Sequence, residues 1–145
     1  MAKVLYTAEA TVTGGRAHGH GRTTDGALEV DIRIPPELGG EGGGTNPEQL
    51  FAVGYAACFE SALGVLAMRD GAEVGDASID SRVSLLPGKG GSFVLAVALD
   101  VTLPQVEDPE EAIRIVAAAH KVCPYSNATR GNIEVELTAN GRAVD

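Results

Sequence analysis

The segment Asn46–Met68, NPEQLFAVGYAACFESALGVLAM, predicts a long helix with a sharply defined start. Asn46 is a favoured N-cap, Pro47 suits the first helical position, and Gln49 would complete a capping box. From Leu50 onward the segment is apolar almost all round, which is typical of a helix that is buried on most of its faces. Such a helix needs neighbours on several sides. In a chain of 145 residues, one of those neighbours could be a second copy of the same chain.

Alternation of apolar and polar residues predicts β-strands on both sides of this helix. Three strands precede it and three follow it: Val4–Val12, a joining strand within residues 16–24, Leu28–Ile34, Ile79–Leu85, Phe93–Leu103 and Ile133–Leu137. The alternation is strongest in Phe93–Leu103. The glycine-rich PGKGG segment before that strand predicts a turn, which makes a hairpin with the preceding strand.

A second helix is predicted over residues 107–122, EDPEEAIRIVAAAHKV. Asp108 serves as its N-cap, Pro109 takes the first helical position, and Glu111 closes a capping box. Pro124 ends this helix because proline cannot continue the backbone hydrogen bonding. The order of strands, long helix, hairpin, helix and strand indicates an α+β fold. The chain has no repeats and no linker, so we expect a single domain over residues 1–145.

Composition and charge argue against several classes of protein. The net charge is −9 and the 11 basic residues are scattered, which disfavours a surface that binds the phosphates of nucleic acid. Glu60 and two glycines interrupt the longest apolar stretch, which argues against a membrane span. The N-terminal residues lack the apolar core and cleavage site of a signal peptide. We therefore expect a cytoplasmic protein whose cysteines are kept reduced.

Two common catalytic motifs are absent, and the histidines leave a metal site open as an alternative. The loop GGEGGGTNPEQ lacks the Gly-Lys-Ser/Thr ending of a phosphate-binding loop, and no G-x-S-x-G elbow occurs. His18 and His20 in a glycine loop could bind a metal. His120 and Cys123, at helical spacing, could provide two zinc ligands with Cys58 as a third, although a fourth is not evident. More often, a histidine in the position of His120 is a helix-end residue that complements the helix dipole.

The two cysteines, Cys58 and Cys123, are either packing residues or a working pair. Cys123 follows the second helix, where the negative end of the helix dipole disfavours a thiolate. Cys58 lies in the middle of the long helix, where burial would raise the pKa of its thiol. A reactive Cys58 therefore needs a nearby cation. The candidates are Arg16, after the first strand, and Arg130, in the TRGN segment.

Two long motifs carry a family resemblance. TNPEQLFAVGYAACF at residues 45–59 and AAHKVCPYSNATRGNI at residues 118–133 closely resemble the organic hydroperoxide resistance proteins of the OsmC/Ohr family. Shorter matches occur in VLYTAEATVTGGR, DGALEV and ELGG, so the resemblance spans Lys3 to Leu137. It implies an OsmC-like fold, in which antiparallel sheets wrap around a long buried central helix in an intertwined homodimer.

The resemblance also implies a thiol peroxidase that works without metal, haem or another cofactor. Carried onto this chain, Cys58 would be the peroxidatic cysteine, which attacks the peroxide. Cys123 would be the resolving cysteine, which forms a disulfide with Cys58. Arg16 and Glu48 would form the ion pair that activates Cys58. Arg130 belongs to the motif without an assignable catalytic role, and we interpret it as an arginine that binds backbone carbonyls beside a turn.

Substrate and partners follow from the same resemblance. It implies reduction of alkyl or fatty-acid hydroperoxides, with the disulfide reopened by a dithiol such as the dihydrolipoyl group of lipoylated proteins. Four apolar residues of the long helix could line the substrate pocket or could simply belong to the core: Phe51, Val53, Phe59 and Met68. The alternatives are an OsmC-type peroxidase with another substrate preference and a non-catalytic zinc-binding or ligand-binding module.

Helix geometry adds a reason to expect the dimer. Glu48 and Cys58 lie ten residues apart on one helix, which separates them by about 15 Å along its axis. Glu48 cannot then help to hold an arginine over Cys58 of its own chain unless the helix breaks. If two copies of the helix pack antiparallel, Glu48 of one chain approaches Cys58 of the other.

Overall fold

A computed structural model describes residues 2–145, which divide into two compact units after Leu50. The first unit holds a three-stranded antiparallel sheet in the order β1-β2-β3, with β1 at Ala10–Thr13, β2 at Gly19–Thr23 and β3 at Glu29–Ile32. A short 3₁₀ helix, Pro36–Leu38, lies in the loop after β3. The helix α1, Pro47–Asp70, begins in the first unit and continues in the second.

The turn between β1 and β2 requires glycine at Gly14. Its φ of 82° lies in the left-handed region, and a Cβ there would be 2.2 Å from the backbone oxygen of His18. Only a residue without a Cβ lets the chain reverse direction this tightly. The reversal matters for the site because Arg16 lies within this turn.

The first strand is shorter than the sequence predicts. The alternation from Val4 to Val12 predicts a strand along the whole segment, but β1 begins only at Ala10. Leu5 and Tyr6, ahead of it, are 95% and 79% exposed. Alternation shows that a segment suits a sheet, but a strand forms only where a neighbour completes its hydrogen bonds. In the described chain, the pairing of β2 with β1 reaches only to Ala10.

The second unit contains a four-stranded sheet in the order β4-β5-β6-β7 and two further helices. Its elements are β4 (Ser78–Pro87), β5 (Phe93–Thr102), α2 (Pro109–Val122), α3 (Pro124–Thr129), β6 (Glu134–Ala139) and β7 (Arg142–Val144). The α+β class is confirmed. The named strands pair antiparallel, as expected, except for β5 and β6, which are parallel. Parallel neighbours need a crossover connection, which α2 and α3 provide.

The core of the second unit lies between one face of α1, the strand β5 and the helix α2. Its buried residues include Tyr55, Phe59, Ala62, Leu63 and Leu66 of α1, Val97, Leu99 and Val101 of β5, and Ala112, Ile115, Val116 and Ala119 of α2. The residues of α1 recur at i, i+4, i+7, i+8 and i+11, which forms one apolar stripe. Each large side chain contributes about 1.5–3 kcal/mol on burial. This packing fixes α1, and Cys58 with it, against α2.

The opposite face of α1 is uncovered, whereas the sequence predicts burial on most faces. Val53 is 71% and Met68 is 89% exposed. The same exposed stripe includes Ala57, Glu60, Ser61 and Gly64. By length and composition alone α1 could cross a membrane, although the core helix of a folded domain passes the same test. Because its other face lies in the core of the second unit, α1 is a core helix with one uncovered side.

The helix starts follow the sequence with two changes. The Asn46 side chain accepts a hydrogen bond from the Gln49 N–H at 2.8 Å, so the predicted N-cap is confirmed. The Gln49 side chain accepts a hydrogen bond from the hydroxyl of Thr45 and does not close the capping box. Likewise Asp108 caps α2. The Glu111 side chain forms an ion pair with Arg114 and does not close the predicted capping box.

Candidate active site

Two cysteines that are 65 residues apart in the sequence meet in the second unit. Cys58 lies on α1 and Cys123 at the junction of α2 and α3, and their sulfur atoms are 3.6 Å apart. Both are free thiols, since the sulfur atoms of a disulfide are about 2.05 Å apart. Cys123 is fully buried, whereas Cys58 is partly exposed. The pair could therefore form a disulfide with little movement, and Cys58 is the more accessible sulfur.

The junction of α2 and α3 positions Cys123. α2 ends at Val122 and Pro124 takes the first position of α3, so Cys123 is both the C-cap of one helix and the N-cap of the next. Its backbone, at φ −63° and ψ 122°, has the extended conformation that a residue before proline favours. Pro124 ends α2 as predicted. It also begins α3, a six-residue helix that lies beyond the predicted elements.

Burial raises the pKa of the Cys58 thiol, and a hydrogen bond from the Tyr125 backbone opposes this shift. Tyr125 lies in the first turn of α3, where backbone N–H groups have no partner within the helix. An N–H group that donates to sulfur favours the thiolate. Because burial is the larger effect, this environment leaves Cys58 protonated at neutral pH. A reactive Cys58 therefore needs a positive charge in addition.

Arg16 and Glu48 form an ion pair within the first unit. The Arg16 guanidinium donates to both carboxylate oxygens of Glu48, with Nη2–Oε1 at 2.7 Å and Nη1–Oε2 at 3.2 Å. Glu48 lies in the first turn of α1, where the helix dipole favours a negative charge. The hydrogen bond from Arg16 lowers the pKa of Glu48. This two-point contact fixes the plane of the guanidinium and keeps Glu48 ionised.

An apolar cavity of about 410 Å³ lies beside Tyr125. Its lining residues are Phe51, Leu95, Tyr125, Ala128, Thr129, Asn132 and Ile133. The Tyr125 side chain lines this cavity and the Tyr125 backbone lowers the pKa of Cys58, but neither cysteine is among the lining residues. A second cavity of about 430 Å³ lies between the end of α1 and the start of α2. It is lined by several carboxylates and by neither cysteine.

The four apolar residues predicted for a substrate pocket are dispersed. Phe51 lines the cavity beside Tyr125 and packs against the Tyr125 ring, with centroids 5.9 Å apart. Phe59 is fully buried in the core of the second unit. Val53 and Met68 lie on the uncovered face of α1. Of these four, only Phe51 is among the residues that line the cavity.

Two of the three histidines, His20 and His120, have hydrogen-bonding partners among the described residues. Among residues 2–145, no group of three or more histidine, cysteine, aspartate and glutamate side chains is arranged to hold a metal ion. His20 lies between two carboxylates, with Nδ1 2.8 Å from Asp31 and Nε2 2.8 Å from Glu29. Carboxylates only accept hydrogen bonds, so both ring nitrogens donate and His20 is an imidazolium. Accordingly its pKa is raised, first by Asp31 and then by Glu29.

A group of buried hydroxyls that the sequence did not reveal links α1 to α3 beside the cysteines. Tyr55 Oη lies 2.8 Å from Ser126 Oγ and 3.2 Å from Thr129 Oγ1. His120 Nδ1 lies 2.8 Å from the same Ser126 oxygen. Arg130 donates to the backbone carbonyl of His120, as predicted for an arginine beside a turn. The only signal in the sequence is the i, i+3 spacing of Ser126 and Thr129, which does not show that they are buried.

Comparison with known proteins identifies the class. Residues 40–138 match the family model described as OsmC-like protein, and the chain belongs to this family. Within the family it is similar to the organic hydroperoxide resistance proteins. It is 53% identical over 138 residues to the one from Xanthomonas axonopodis pv. citri, across 94% of this chain and 95% of the relative. The resemblance carried by the two long motifs is thereby confirmed.

Solved structures support the same assignment. The organic hydroperoxide resistance protein OsmC from Legionella pneumophila matches with a TM-score of 0.89 and 52% identity, over 94% of this chain and 98% of that one. OhrB of Bacillus subtilis matches with a TM-score of 0.83 and 46% identity, over 93% and 98% of the two chains. The OsmC-like fold is therefore confirmed.

Proposed function

We propose that this chain is a cysteine-based peroxidase that reduces organic hydroperoxides to alcohols. The observation that carries the proposal is the 3.6 Å separation of two free thiols, one partly exposed and one buried. Thiols of unequal exposure suit a reaction in which one attacks the substrate and the other closes a disulfide. Relatives at 53% and 47% identity are named organic hydroperoxide resistance proteins, which supports an organic hydroperoxide as the oxidant.

The reaction begins at Cys58. Its thiolate attacks one peroxide oxygen, the O–O bond breaks, and the alkoxide takes a proton to leave as the alcohol, so that Cys58 becomes a sulfenic acid. Cys123 then attacks the sulfenic sulfur, water leaves, and a Cys58–Cys123 disulfide forms. The distance between the sulfur atoms must shrink from 3.6 Å to about 2.05 Å, which side-chain rotation can achieve.

Arg16 and Glu48 are proposed to activate Cys58. Burial raises the pKa of this thiol, and a nearby guanidinium is the kind of group that lowers it again. Glu48 would hold the guanidinium in place through the two-point contact, so that its charge is aimed in a fixed direction. The support is the geometry of the ion pair together with the need of Cys58 for a cation.

We also propose that the active protein is a homodimer whose site is shared. Glu48 and Cys58 are ten residues apart on α1, or about 15 Å along a continuous helix. The uncovered stripe from Val53 to Met68 leaves apolar surface that a second copy of α1 would cover. In an antiparallel pair of α1 helices, the Arg16–Glu48 pair of one chain would serve Cys58 of the other.

Mixed dimers test the shared site. Cys58→Ser chains and Glu48→Ala chains, each inactive or strongly impaired alone, are unfolded and refolded together. A mixed dimer would contain one intact site, so activity should reappear in proportion to the fraction of mixed dimers. Absence of recovery in confirmed mixed dimers, or full activity in a monomer, would contradict the shared site.

The surroundings of the pair support an apolar substrate and a slender reductant. The cavity beside Tyr125, about 410 Å³ and largely apolar, suits an alkyl chain, which hydrogen peroxide lacks. After disulfide formation the more accessible sulfur is that of Cys58. A dithiol on a flexible arm, such as a dihydrolipoyl group of a lipoylated protein, could attack it there. The setting we propose is the cytoplasm, where cellular thiol systems would keep both cysteines reduced between turnovers.

A peroxidase assay tests the function. Consumption of tert-butyl hydroperoxide and of hydrogen peroxide is followed with dihydrolipoamide as reductant. The organic peroxide should be consumed faster, and Cys58→Ser should abolish turnover. Stoichiometric zinc in purified protein together with no consumption of either peroxide would favour the non-catalytic module instead.

A further inference from the structure

Three buried hydroxyls and the half-buried His120 form one continuous hydrogen-bonded series near the cysteine pair, which we call the hydroxyl chain. It runs from His120 Nδ1 to Ser126 Oγ, to Tyr55 Oη and to Thr129 Oγ1, with separations of 2.8, 2.8 and 3.2 Å. It ends at the Tyr125 carbonyl, which accepts from the Thr129 hydroxyl at 3.0 Å. The oxygen-bearing residues are at most 6% exposed. A buried polar series of this kind is stable only if every member is satisfied.

Counting protons favours one direction of the hydroxyl chain, because only that direction satisfies every bond in it. Each hydroxyl has one proton, so Thr129 uses its own for the Tyr125 carbonyl, Tyr55 donates to Thr129, and Ser126 donates to Tyr55. The Ser126 oxygen must then accept a proton from His120 Nδ1. Burial, followed by the charge of Arg130, lowers the pKa of His120, so a neutral ring protonated at Nδ1 completes the series. If every donor and acceptor were exchanged, Thr129 would donate its only proton to Tyr55, and no proton would remain for the bond to the Tyr125 carbonyl.

The hydroxyl chain contacts the first turn of α3 at the Tyr125 carbonyl. The backbone of the same residue lowers the pKa of the Cys58 thiol, against the larger effect of burial. Cys123 lies two residues before Tyr125, and its carbonyl accepts from the Asn127 N–H at 3.0 Å as part of the same turn. Because Tyr55 belongs to α1, the hydroxyl chain connects this turn of α3 to the helix that carries Cys58.

We propose that Tyr55, Ser126 and His120 are positioning residues that hold Cys123 beside Cys58, so that the disulfide forms before a second peroxide reaches the sulfenic acid. This inference rests on the proposed peroxidase function. Two reactions compete for the Cys58 sulfenic acid. In one, the Cys123 thiol attacks it and releases water. In the other, a second hydroperoxide transfers an oxygen, giving a sulfinic acid and an alcohol, and the protein is inactivated.

Tyr55→Phe, Ser126→Ala and His120→Ala each remove one member of the hydroxyl chain, and Tyr6→Phe is the control, because Tyr6 is 79% exposed. Reduced proteins are titrated with tert-butyl hydroperoxide and their intact masses are measured. Disulfide appears as loss of two hydrogens and sulfinic acid as gain of two oxygens. We expect half-maximal sulfinic acid at roughly tenfold lower peroxide in the three variants, equivalent to about 1.4 kcal/mol in the competing barriers. Wild type and Tyr6→Phe should behave alike.

Two further readouts separate positioning from general loss of structure. The rate of the first step is measured as loss of one equivalent of peroxide in a single turnover. It should change less than about twofold, equivalent to about 0.4 kcal/mol. His120→Asn, whose amide can donate from the position of Nδ1, should restore most of the protection that His120→Ala loses. The ¹⁵N spectrum should show His120 protonated at Nδ1 in wild type and not in Ser126→Ala.

The outcomes distinguish this inference from the proposed function. If wild type forms no Cys58–Cys123 disulfide with peroxide, the proposed function fails. If wild type forms it and all three variants resist sulfinic acid formation equally well, only the role of the hydroxyl chain is overturned. If Tyr55→Phe does not fold, the comparison of His120→Ala with His120→Asn still decides the question. His120 is only half-buried, so replacing it should leave the core intact.

Discussion

Replacing Glu48 with glutamine should impair activity much more than stability. The change keeps the size of the side chain and removes the charge that Arg16 contacts at 2.7 and 3.2 Å. Arg16 is 42% and Glu48 16% exposed, so water screens a large part of the attraction. We therefore expect the free energy of unfolding to fall by about 1 kcal/mol or less, as for other partly exposed pairs.

The expected effect on activity comes from the Cys58 thiolate. Burial raises the pKa of this thiol, and an arginine that is no longer held by Glu48 compensates less well. Where the pKa lies above the assay pH, a rise of one unit leaves about tenfold less thiolate. We expect Glu48→Gln to slow the oxidation of Cys58 at pH 7 by roughly tenfold, with most of the rate regained at higher pH.

The assay is a pH profile of single-turnover peroxide consumption, read together with thermal unfolding. Glu41→Gln is the matched control, because it makes the same change in charge at an exposed position of the preceding loop. The profile of Glu48→Gln should move to higher pH, and that of Glu41→Gln should not. An unchanged profile in folded Glu48→Gln protein would refute the role of the ion pair in activating Cys58.

Three further predictions concern the scaffold. His20 should titrate above its ordinary pKa of 6.5. Its contribution to the free energy of unfolding should be complete below pH 6.5 and should fade as the pH rises through the raised pKa. In an NMR titration, Glu29→Gln should lower the pKa of His20. Phe59→Ala should cost about 3–5 kcal/mol in denaturant unfolding, whereas Phe93→Ala, at a 70% exposed position, should cost far less. Gly14→Ala should lower both stability and activity, because a Cβ 2.2 Å from a backbone oxygen disrupts the turn that carries Arg16; normal activity in that variant would be inconsistent with the structure.

Elements with strong local signals were predictable from the sequence. The starts of α1 and α2 follow from Asn46 and Asp108, whose side chains cap the helices as expected. The hairpin of β4 and β5 follows from the alternation in Phe93–Leu103, from the apolar residues Ile79, Val83 and Leu85, and from the glycine-rich turn between them. These features depend on residues close together in the chain, so their physical causes are visible in the sequence.

Other elements depend on distant contacts or on signals that were overlooked. The parallel pairing of β5 with β6 depends on where the α2–α3 crossover returns the chain, which alternation does not encode. The turn before β7 contains Asn140 and Gly141, at φ 48° and 85°, and this Asn-Gly pair is a hairpin signal that could have been used. The exposed segment before β1 has the pattern of a strand, but the structure of residues 2–145 pairs it with another strand only from Ala10 onward.

The candidate site was predictable only in part. The family motifs identified Cys58 and Cys123 as a pair, but their 3.6 Å separation required the fold. The hydroxyl chain was not predicted because serine, threonine and tyrosine are common on surfaces, and only three-dimensional packing shows that these are buried. The dispersal of Phe51, Val53, Phe59 and Met68 has a similar cause: an apolar helix does not reveal which of its faces the chain covers.

The central claim is that Cys58 and Cys123 perform unequal steps of one reaction, and mass spectrometry of peroxide-treated protein tests it directly. Wild-type protein treated with one equivalent of tert-butyl hydroperoxide should contain a single intramolecular Cys58–Cys123 disulfide on peptide mapping. Cys123→Ser should accumulate a sulfenic acid at Cys58 that a dimedone probe captures. Disulfides found only between chains, or equal oxidation of the remaining cysteine in Cys58→Ser and Cys123→Ser, would contradict the claim.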